Sequence, residues 1–100
     1  MAQFDVRTSR DDGQTLLVDL QDDMLESLST RIAAPLASPQ VFGLPMKTVN
    51  PRLFLHGREY ILLAHLLAAI PATMLGEYVG TVAGQRSEVV SALDMLFTGI

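Results

Sequence analysis

Hydrophobic and polar residues alternate at the start of the chain, which is the pattern of half-buried β-strands. Residues 4–8 alternate in this way, and a turn at 10–13 follows, in which Gly13 supplies a positive φ. The next run, Thr15–Leu20, places three apolar side chains on one face and Asp19 on the other. The sequence therefore predicts two strands that share an apolar face.

Three further strands are predicted in the middle of the chain. Arg31–Leu36 is the third, and Pro35 within it favours a sheet edge or a β-bulge, because proline has no N–H to donate. Arg52–His56 and Tyr60–Leu67 are predicted as the fourth and fifth strands, with a tight turn at 56–59 between them.

Other segments fit the strand pattern less well. Residues 38–51 are rich in proline and are predicted to form loops. Residues 60–76 contain no Asp, Glu, Lys or Arg, and propensity alone favours a helix at their start. A strand and buried core are expected instead, because a hairpin turn precedes the run and Pro71 interrupts it; a membrane span needs about 20 apolar residues. Residues 73–79 are predicted as a short strand or an irregular segment.

The last fourteen residues, Ser87–Ile100, have the period of an amphipathic helix. Its apolar stripe is formed by Val89, Leu93, Leu96 and Ile100. Thr98-Gly99 is a stop signal, since glycine tolerates the left-handed conformation that ends a helix. Phe97 is expected to point at the sheet. Two interpretations of Ile100 stay open: it folds back as core, or residues 97–100 form an exposed recognition tip.

Composition restricts the class of protein. The 100 residues are 49% hydrophobic and 18% charged, which predicts a single globular domain over 1–100. The net charge is −4 and the seven Lys and Arg residues are scattered, so nucleic-acid contact is expected only indirectly, through a partner. The absence of cysteine excludes disulfides and thiolate metal sites. The first twelve residues contain no apolar signal region.

The sequence offers no arrangement that predicts catalysis. His56 is expected to be exposed at a hairpin, and His65 to be a structural residue in an apolar strand. The acidic pairs at 11–12 and 22–23 are interpreted as solvated turn residues rather than as metal ligands or acid–base pairs. No cofactor, metal site or catalytic residue is predicted, and the protein is expected to be a binding protein rather than an enzyme.

Five motifs, in this order and spacing, resemble the CcdB family of toxins. They are Gln3-Phe4-Asp5-Val6, the run LVDLQDD at 17–23, the run RIAAPLAS at 31–38, the block Ile70-Pro71 with Leu75-Gly76-Glu77, and the ending DMLFTGI at 94–100. The family's own ending is Met-Phe-Trp-Gly-Ile, so Thr98 stands where the family has tryptophan. The resemblance covers residues 3–100.

This resemblance implies a fold and a function. The fold is mostly β, an SH3-like antiparallel barrel of the CcdB/MazF type with one C-terminal α-helix. The function is that of a cytoplasmic, plasmid or chromosomal toxin that acts as a homodimer, binds the A chain of DNA gyrase and poisons the topoisomerase. A CcdA-like antitoxin neutralises it, and the complex of the two represses its own operon through the antitoxin.

The resemblance also implies which residues contact gyrase: Met24, Leu25, Asp94, Thr98, Gly99 and Ile100. From the sequence alone, Met24 and Leu25 are either a lid over the barrel or an exposed apolar contact patch. Because Thr98 cannot stack on a gyrase arginine as tryptophan does, an alternative is a relative that binds antitoxin without poisoning gyrase. A MazF-like endoribonuclease is less favoured. Arg31 is a candidate phosphate ligand, but the sequence does not indicate a catalytic residue that would act with it.

Overall fold

A computed structural model describes residues 1–42, 46 and 49–99. The strands are β1 (Asp5–Ser9), β2 (Leu16–Asp19), β3 (Thr30–Ala37), β4 (Arg52–Leu55), β5 (Arg58–Leu62), β6 (Ala68–Pro71) and β7 (Leu75–Thr81). The helices are α1 (Pro39–Phe42), a single turn, and α2 (Arg86–Thr98). Short 3-10 turns lie at Asp23–Leu25, Ala64–Leu66, Ala72–Met74 and Ala83–Gln85.

The strands form one curled antiparallel sheet in the order β4-β5-β3-β2-β1-β7, and β6 pairs with β3 outside this path. β3 is the central strand. It pairs with β2 along one side, and with β6 and then β5 along the other. The predicted mostly-β fold with an antiparallel barrel and a C-terminal helix is confirmed.

Of the two alternatives for Pro35, a sheet edge or a β-bulge, the sheet edge is wrong. Its strand β3 has neighbours on both sides, and Pro35 itself pairs with Leu17 of β2. On the other side, β6 pairs only as far as Ala33 and β5 only from Leu36. Proline is therefore placed where β3 changes partner, at the position where a missing N–H costs the sheet least.

The predicted fifth strand, Tyr60–Leu67, is too long at its C-terminal end. β5 ends at Leu62, and the helix-favouring residues that follow form the 3-10 turn Ala64–Leu66 before β6 begins. Within 60–76 the buried residues are Ile61–Ala64 and Leu75, so the expected buried core is limited to these positions. Residues 73–79 form the end of a 3-10 turn and the start of β7.

No helix in the described part of the chain is long and apolar enough to cross a membrane.

The core fills the space between the concave face of the sheet and α2. It includes Val6, Val18, Leu36, Leu53 and Leu62 from the strands, and Val89 and Ala92 from the helix. Leu93 packs partly against this core, as the predicted stripe requires, whereas Ile100 lies outside the described residues. Gly99 ends the helix with φ 76°, and its N–H donates to the Met95 carbonyl, so the predicted stop signal is confirmed.

The two outermost strands, β4 and β7, are brought together by side chains rather than by strand pairing. Gln85 reaches the edge of β4, where its amide accepts from the Phe54 N–H at 2.8 Å and donates to the Phe54 carbonyl at 2.7 Å. His56, at the tip of the β4–β5 hairpin, lies 2.7 Å from the Val79 carbonyl of β7. Gly80 permits this approach, because a Cβ there would lie 2.8 Å from Leu55.

A buried polar network links β2 to β3. The Arg31 Nε donates to Asp19 Oδ2 at 2.9 Å, and Nη2 lies 2.7 Å from the same oxygen, within ion-pair distance but without the alignment of a hydrogen bond. Both side chains are 2% exposed. Asp19 Oδ1 accepts from the Gln21 N–H, and Gln21 Oε1 accepts from the Ile32 N–H. The network therefore compensates a buried charge on each strand.

Asp19→Asn is expected to lower the free energy of unfolding by about 3–5 kcal/mol, because it leaves the Arg31 charge buried without compensation. Glu59→Gln is the matched control, since it breaks the partly exposed pair of Arg52 and Glu59 (3.1 Å). That change is expected to lower the free energy of unfolding by less than about 1 kcal/mol. Urea unfolding of both variants measures the difference, and similar losses in the two would contradict the assignment.

Candidate partner-binding site

The connection between β2 and β3 holds the predicted contact residues Met24 and Leu25. Asp22 caps the 3-10 turn by accepting from the Met24 N–H at 2.8 Å, and Asp23 accepts from the Gln3 N–H at 2.7 Å. Met24 is 89% exposed and Leu25 is 50% exposed. The lid interpretation is therefore wrong, and the structure places both side chains as an exposed apolar patch.

The connection is fixed to the core by Gln21. This side chain is buried, and its Nε2 donates to the Leu25 carbonyl at 2.8 Å. Its other amide atom, Oε1, accepts from Ile32 on β3. Because both the nitrogen and the oxygen of the Gln21 amide are hydrogen-bonded, this side chain holds the exposed turn in a defined position relative to the sheet.

The C-terminal end of α2 holds the other predicted contact residues. Asp94, Thr98 and Gly99 are all exposed, and the Thr98 hydroxyl donates to the Asp94 carbonyl at 2.7 Å. Ile100 lies outside the described residues, so neither interpretation of its side chain is tested. The hydroxyl of Thr98 thus completes the last turn of the helix instead of presenting a donor to solvent.

Phe97 does not point at the barrel, which corrects the sequence-based expectation. It is 69% exposed. The rotation of α2 is set by Val89 and Ala92, which are buried against the sheet. Position 97 is five residues beyond Ala92 and therefore about 140° around the helix from it. A hydrophobic residue at that angle cannot reach the core.

The two regions border one apolar groove of about 340 Å³. Leu25 and Leu28 from the β2–β3 connection face Leu93 and Phe97 of α2 across it, and Ile32 and Leu67 also line it. Of the predicted contact residues, the groove includes Leu25, which it brings together with Leu93 and Phe97 of α2. Met24, Asp94, Thr98 and Gly99 are not among the residues that line the groove.

Most of the charged residues on the two elements that border this groove are acidic. Asp22 lines it, and the connection 22–30 contains two more acids, Asp23 and Glu26, but no Lys or Arg. The charged residues of α2 are Arg86, Glu88 and Asp94. The C-terminal end of a helix also has a partial negative charge. Acidic residues therefore outnumber basic ones on the two elements that border the groove.

The histidines lie elsewhere. His56 is exposed at the hairpin, as predicted, and adopts the left-handed conformation with φ 53°. His65 lies in a 3-10 turn and not in a strand, and its Nδ1 is 3.0 Å from Nδ2 of Asn50, a buried residue. Each histidine therefore has a contact with the structure around it.

The acidic pairs are exposed in turns, as interpreted from the sequence. The Thr15 hydroxyl and the backbone N–H groups of Gln14 and Thr15 donate to Asp12, and they lower the pKa of its carboxyl from 3.8 to about 2. Asp12 thereby orders the β1–β2 turn. No group of three or more His, Asp or Glu residues within the described part of the chain could hold a metal ion.

Arg31, the candidate phosphate ligand, has a partner that the sequence did not reveal. Asp19 holds its guanidinium in the buried ion pair. Arg31 also borders a separate cavity of about 250 Å³, with Glu26, Leu28 and Ala72 among its walls. The strand pattern placed Asp19 on the face opposite the core, and nothing in the sequence indicated that this face is covered.

A comparison with protein-family models now decides the family. The model of the CcdB protein matches residues 3–99, nearly the whole chain. The chain belongs to the CcdB family. This confirms the resemblance inferred from the five motifs and identifies a family of toxins that pair with antitoxins. Among solved structures, the Mycobacterium tuberculosis toxin MazF-mt6 is similar, with 21% identity, a TM-score of 0.67, and coverage of 93% of this chain and 95% of that one. At this identity the likeness shows a shared fold alone.

Proposed function

We propose that this protein is a cytoplasmic CcdB-type toxin that binds the A chain of DNA gyrase, inhibits the topoisomerase and is neutralised by a CcdA-like antitoxin. Family membership supports the toxin class. The observation that carries the finer proposal is the exposure of the predicted contact residues: Met24 and Leu25 are held outward by the Gln21 network, and Asp94, Thr98 and Gly99 are exposed at the end of α2.

The proposed gyrase site departs from the family at Thr98. A threonine side chain buries far less area than an indole and cannot stack on a guanidinium. Because the Thr98 hydroxyl is used within its own helix, it offers the partner mainly a methyl group. Wild-type affinity for gyrase is therefore expected to be weaker than that of a member with tryptophan here. If binding is absent altogether, the alternative of an antitoxin-binding relative is favoured.

Thr98→Trp is expected to strengthen binding to a gyrase A fragment by about 1 kcal/mol or more, because it restores the stacking plane. The free energy of unfolding is expected to change by less than about 0.5 kcal/mol, since Thr98 is exposed. Calorimetric titration of both forms measures the effect, with Thr73→Trp, an exposed position in the 3-10 turn Ala72–Met74, as the control. Tight wild-type binding that Thr98→Trp leaves unchanged would refute the stacking argument.

The proposed function includes a homodimer built around the C-terminal helices, which follows from the family. The exposed apolar side chains that meet at the groove, Leu25, Leu28 and Phe97, support association. Sedimentation equilibrium at micromolar concentration is expected to give the mass of two chains, about twice 10.9 kDa. A single 10.9 kDa species over the whole concentration range would exclude it.

Ribonuclease activity is not expected, because the guanidinium that would hold a phosphate is already paired with Asp19 inside the fold. Purified protein is expected to leave a structured and an unstructured RNA intact over hours. Glu26→Gln is the informative variant, since Glu26 is exposed and its replacement spares the buried pair. Site-specific cleavage by the wild type that Glu26→Gln abolishes would establish a nuclease in place of the proposed function.

A further inference from the structure

We propose that Gln85 protects the edge of β4: its side-chain amide occupies the place of a neighbouring strand, and its withdrawal exposes an edge that pairs with β4 of a second copy of this chain. Gln85 directly precedes α2, whereas the apolar groove lies towards the other end of that helix. This role therefore does not depend on gyrase binding or on a homodimer built around the helix ends.

β4 is one of the two outermost strands of the sheet, and its outer side has no strand partner among the described residues. In an antiparallel pair, successive residues of a strand direct their backbone groups to opposite sides. The Pro51 carbonyl accepts from the Leu62 N–H of β5, so Leu53 and Leu55 also face β5. Phe54, between them, directs its N–H and its carbonyl away from β5.

The Gln85 amide supplies what a neighbouring strand would supply. Two opposite residues of an antiparallel pair exchange two hydrogen bonds, each residue giving one N–H and one carbonyl. Gln85 Oε1 accepts from the Phe54 N–H at 2.8 Å, and its Nε2 donates to the Phe54 carbonyl at 2.7 Å. One side chain thus satisfies the two backbone groups that another strand would use.

The cover over β4 consists of side-chain contacts. Gln85 is positioned by a 3-10 turn, in which its N–H donates to the carbonyl of the buried Val82 at 2.9 Å. At the hairpin tip, His56 Nε2 lies 2.7 Å from the Val79 carbonyl, and His56 has a φ of 53°, which few residues other than glycine adopt. Loss of these contacts would uncover the edge of β4 without breaking any strand pair of the sheet.

The uncovered edge fits a second copy because it is self-complementary. A two-fold axis beside Phe54 would place this residue opposite itself, and the two copies would exchange both N–H···O bonds. The side chain of Phe54 is 56% exposed, so the two rings would form an aromatic pair across the strands. Leu53-Phe54-Leu55 contains no charge or proline, the residues that commonly prevent such pairing at a sheet edge.

Sedimentation velocity at micromolar concentrations tests the association. Gln85→Met keeps the unbranched shape of the side chain but removes both hydrogen bonds to Phe54. Its mean mass is expected to rise with concentration to at least about twice that of the wild type, because the edge of β4 is then free to pair. Gln14→Met is the matched control, since Gln14 is exposed in the β1–β2 turn, and it is expected to keep the wild-type mass.

A charge swap at position 54 tests which strands meet. In the Gln85→Met background, Phe54→Lys and Phe54→Glu each bring two like charges together across the two-fold axis, and each is expected to keep the wild-type mass. An equimolar mixture of the two is expected to associate, since opposite charges then meet. Equal urea midpoints of the two double variants exclude unfolding as the cause of a difference between them.

Hydrogen exchange followed by NMR tests the cover itself, in the Phe54→Lys background, where the chains do not pair through β4. Adding Gln85→Met is expected to speed exchange of the amide at residue 54 at least about tenfold. The amides of Leu53 and Leu55, which face β5, are expected to keep their rates.

Three results would overturn the proposal. Unchanged exchange at residue 54 removes the protecting role of Gln85. Faster exchange without a rise in the mass of Gln85→Met removes the pairing with a second copy. Association that persists in both charged double variants, or that does not return in their mixture, shows that the contact is not β4 against β4. Because every mass is compared with that of the wild type, these results are independent of whether the wild type is a dimer or binds gyrase.

Discussion

The buried network of Asp19, Gln21 and Arg31 is the interaction on which both the sheet and the candidate site depend. Two charges cannot be removed from water without compensation, so the pair fixes how β2 and β3 approach each other at this end of the sheet. Gln21 extends the same network outward, to the carbonyl of Leu25. One set of hydrogen bonds thus sets the strand pairing inside the molecule and the position of the exposed turn outside it.

This coupling has a functional consequence. A binding surface on a connection is useful only if it is presented in one arrangement, because ordering it at the moment of binding costs free energy. The connection from Asp22 to Ser29 has no buried side chain of its own. The Asp22 cap, the bond of Asp23 to Gln3 and the Gln21 amide hold it in place. The opposite wall is preorganised differently, by the packing of Val89 and Ala92 beneath α2.

The sequence predicted the features that depend on local periodicity. It did not predict the features that depend on tertiary contacts between distant segments. Alternation located β1 and β2, the 3.6-residue period located α2, and glycine marked the turn at Gly57 and the end of α2. Pro35 was misjudged because one strand with two successive partners on the same side has no signature in its own residues. The groove could not be predicted, since Leu28 and Phe97 are ordinary apolar residues until the fold places them opposite each other.

The exposure of Phe97 also indicates what the fold does not require. Rotation of α2 is determined by small and β-branched residues, Ala92 and Val89, that fit closely against the sheet. Position 97 is then directed away from the core whatever residue occupies it. A polar side chain there would avoid an exposed aromatic surface. Stability therefore gives no reason for phenylalanine at 97. Binding does give one, because an exposed ring that lines an apolar groove together with Leu25, Leu28 and Leu93 offers a partner apolar area to cover.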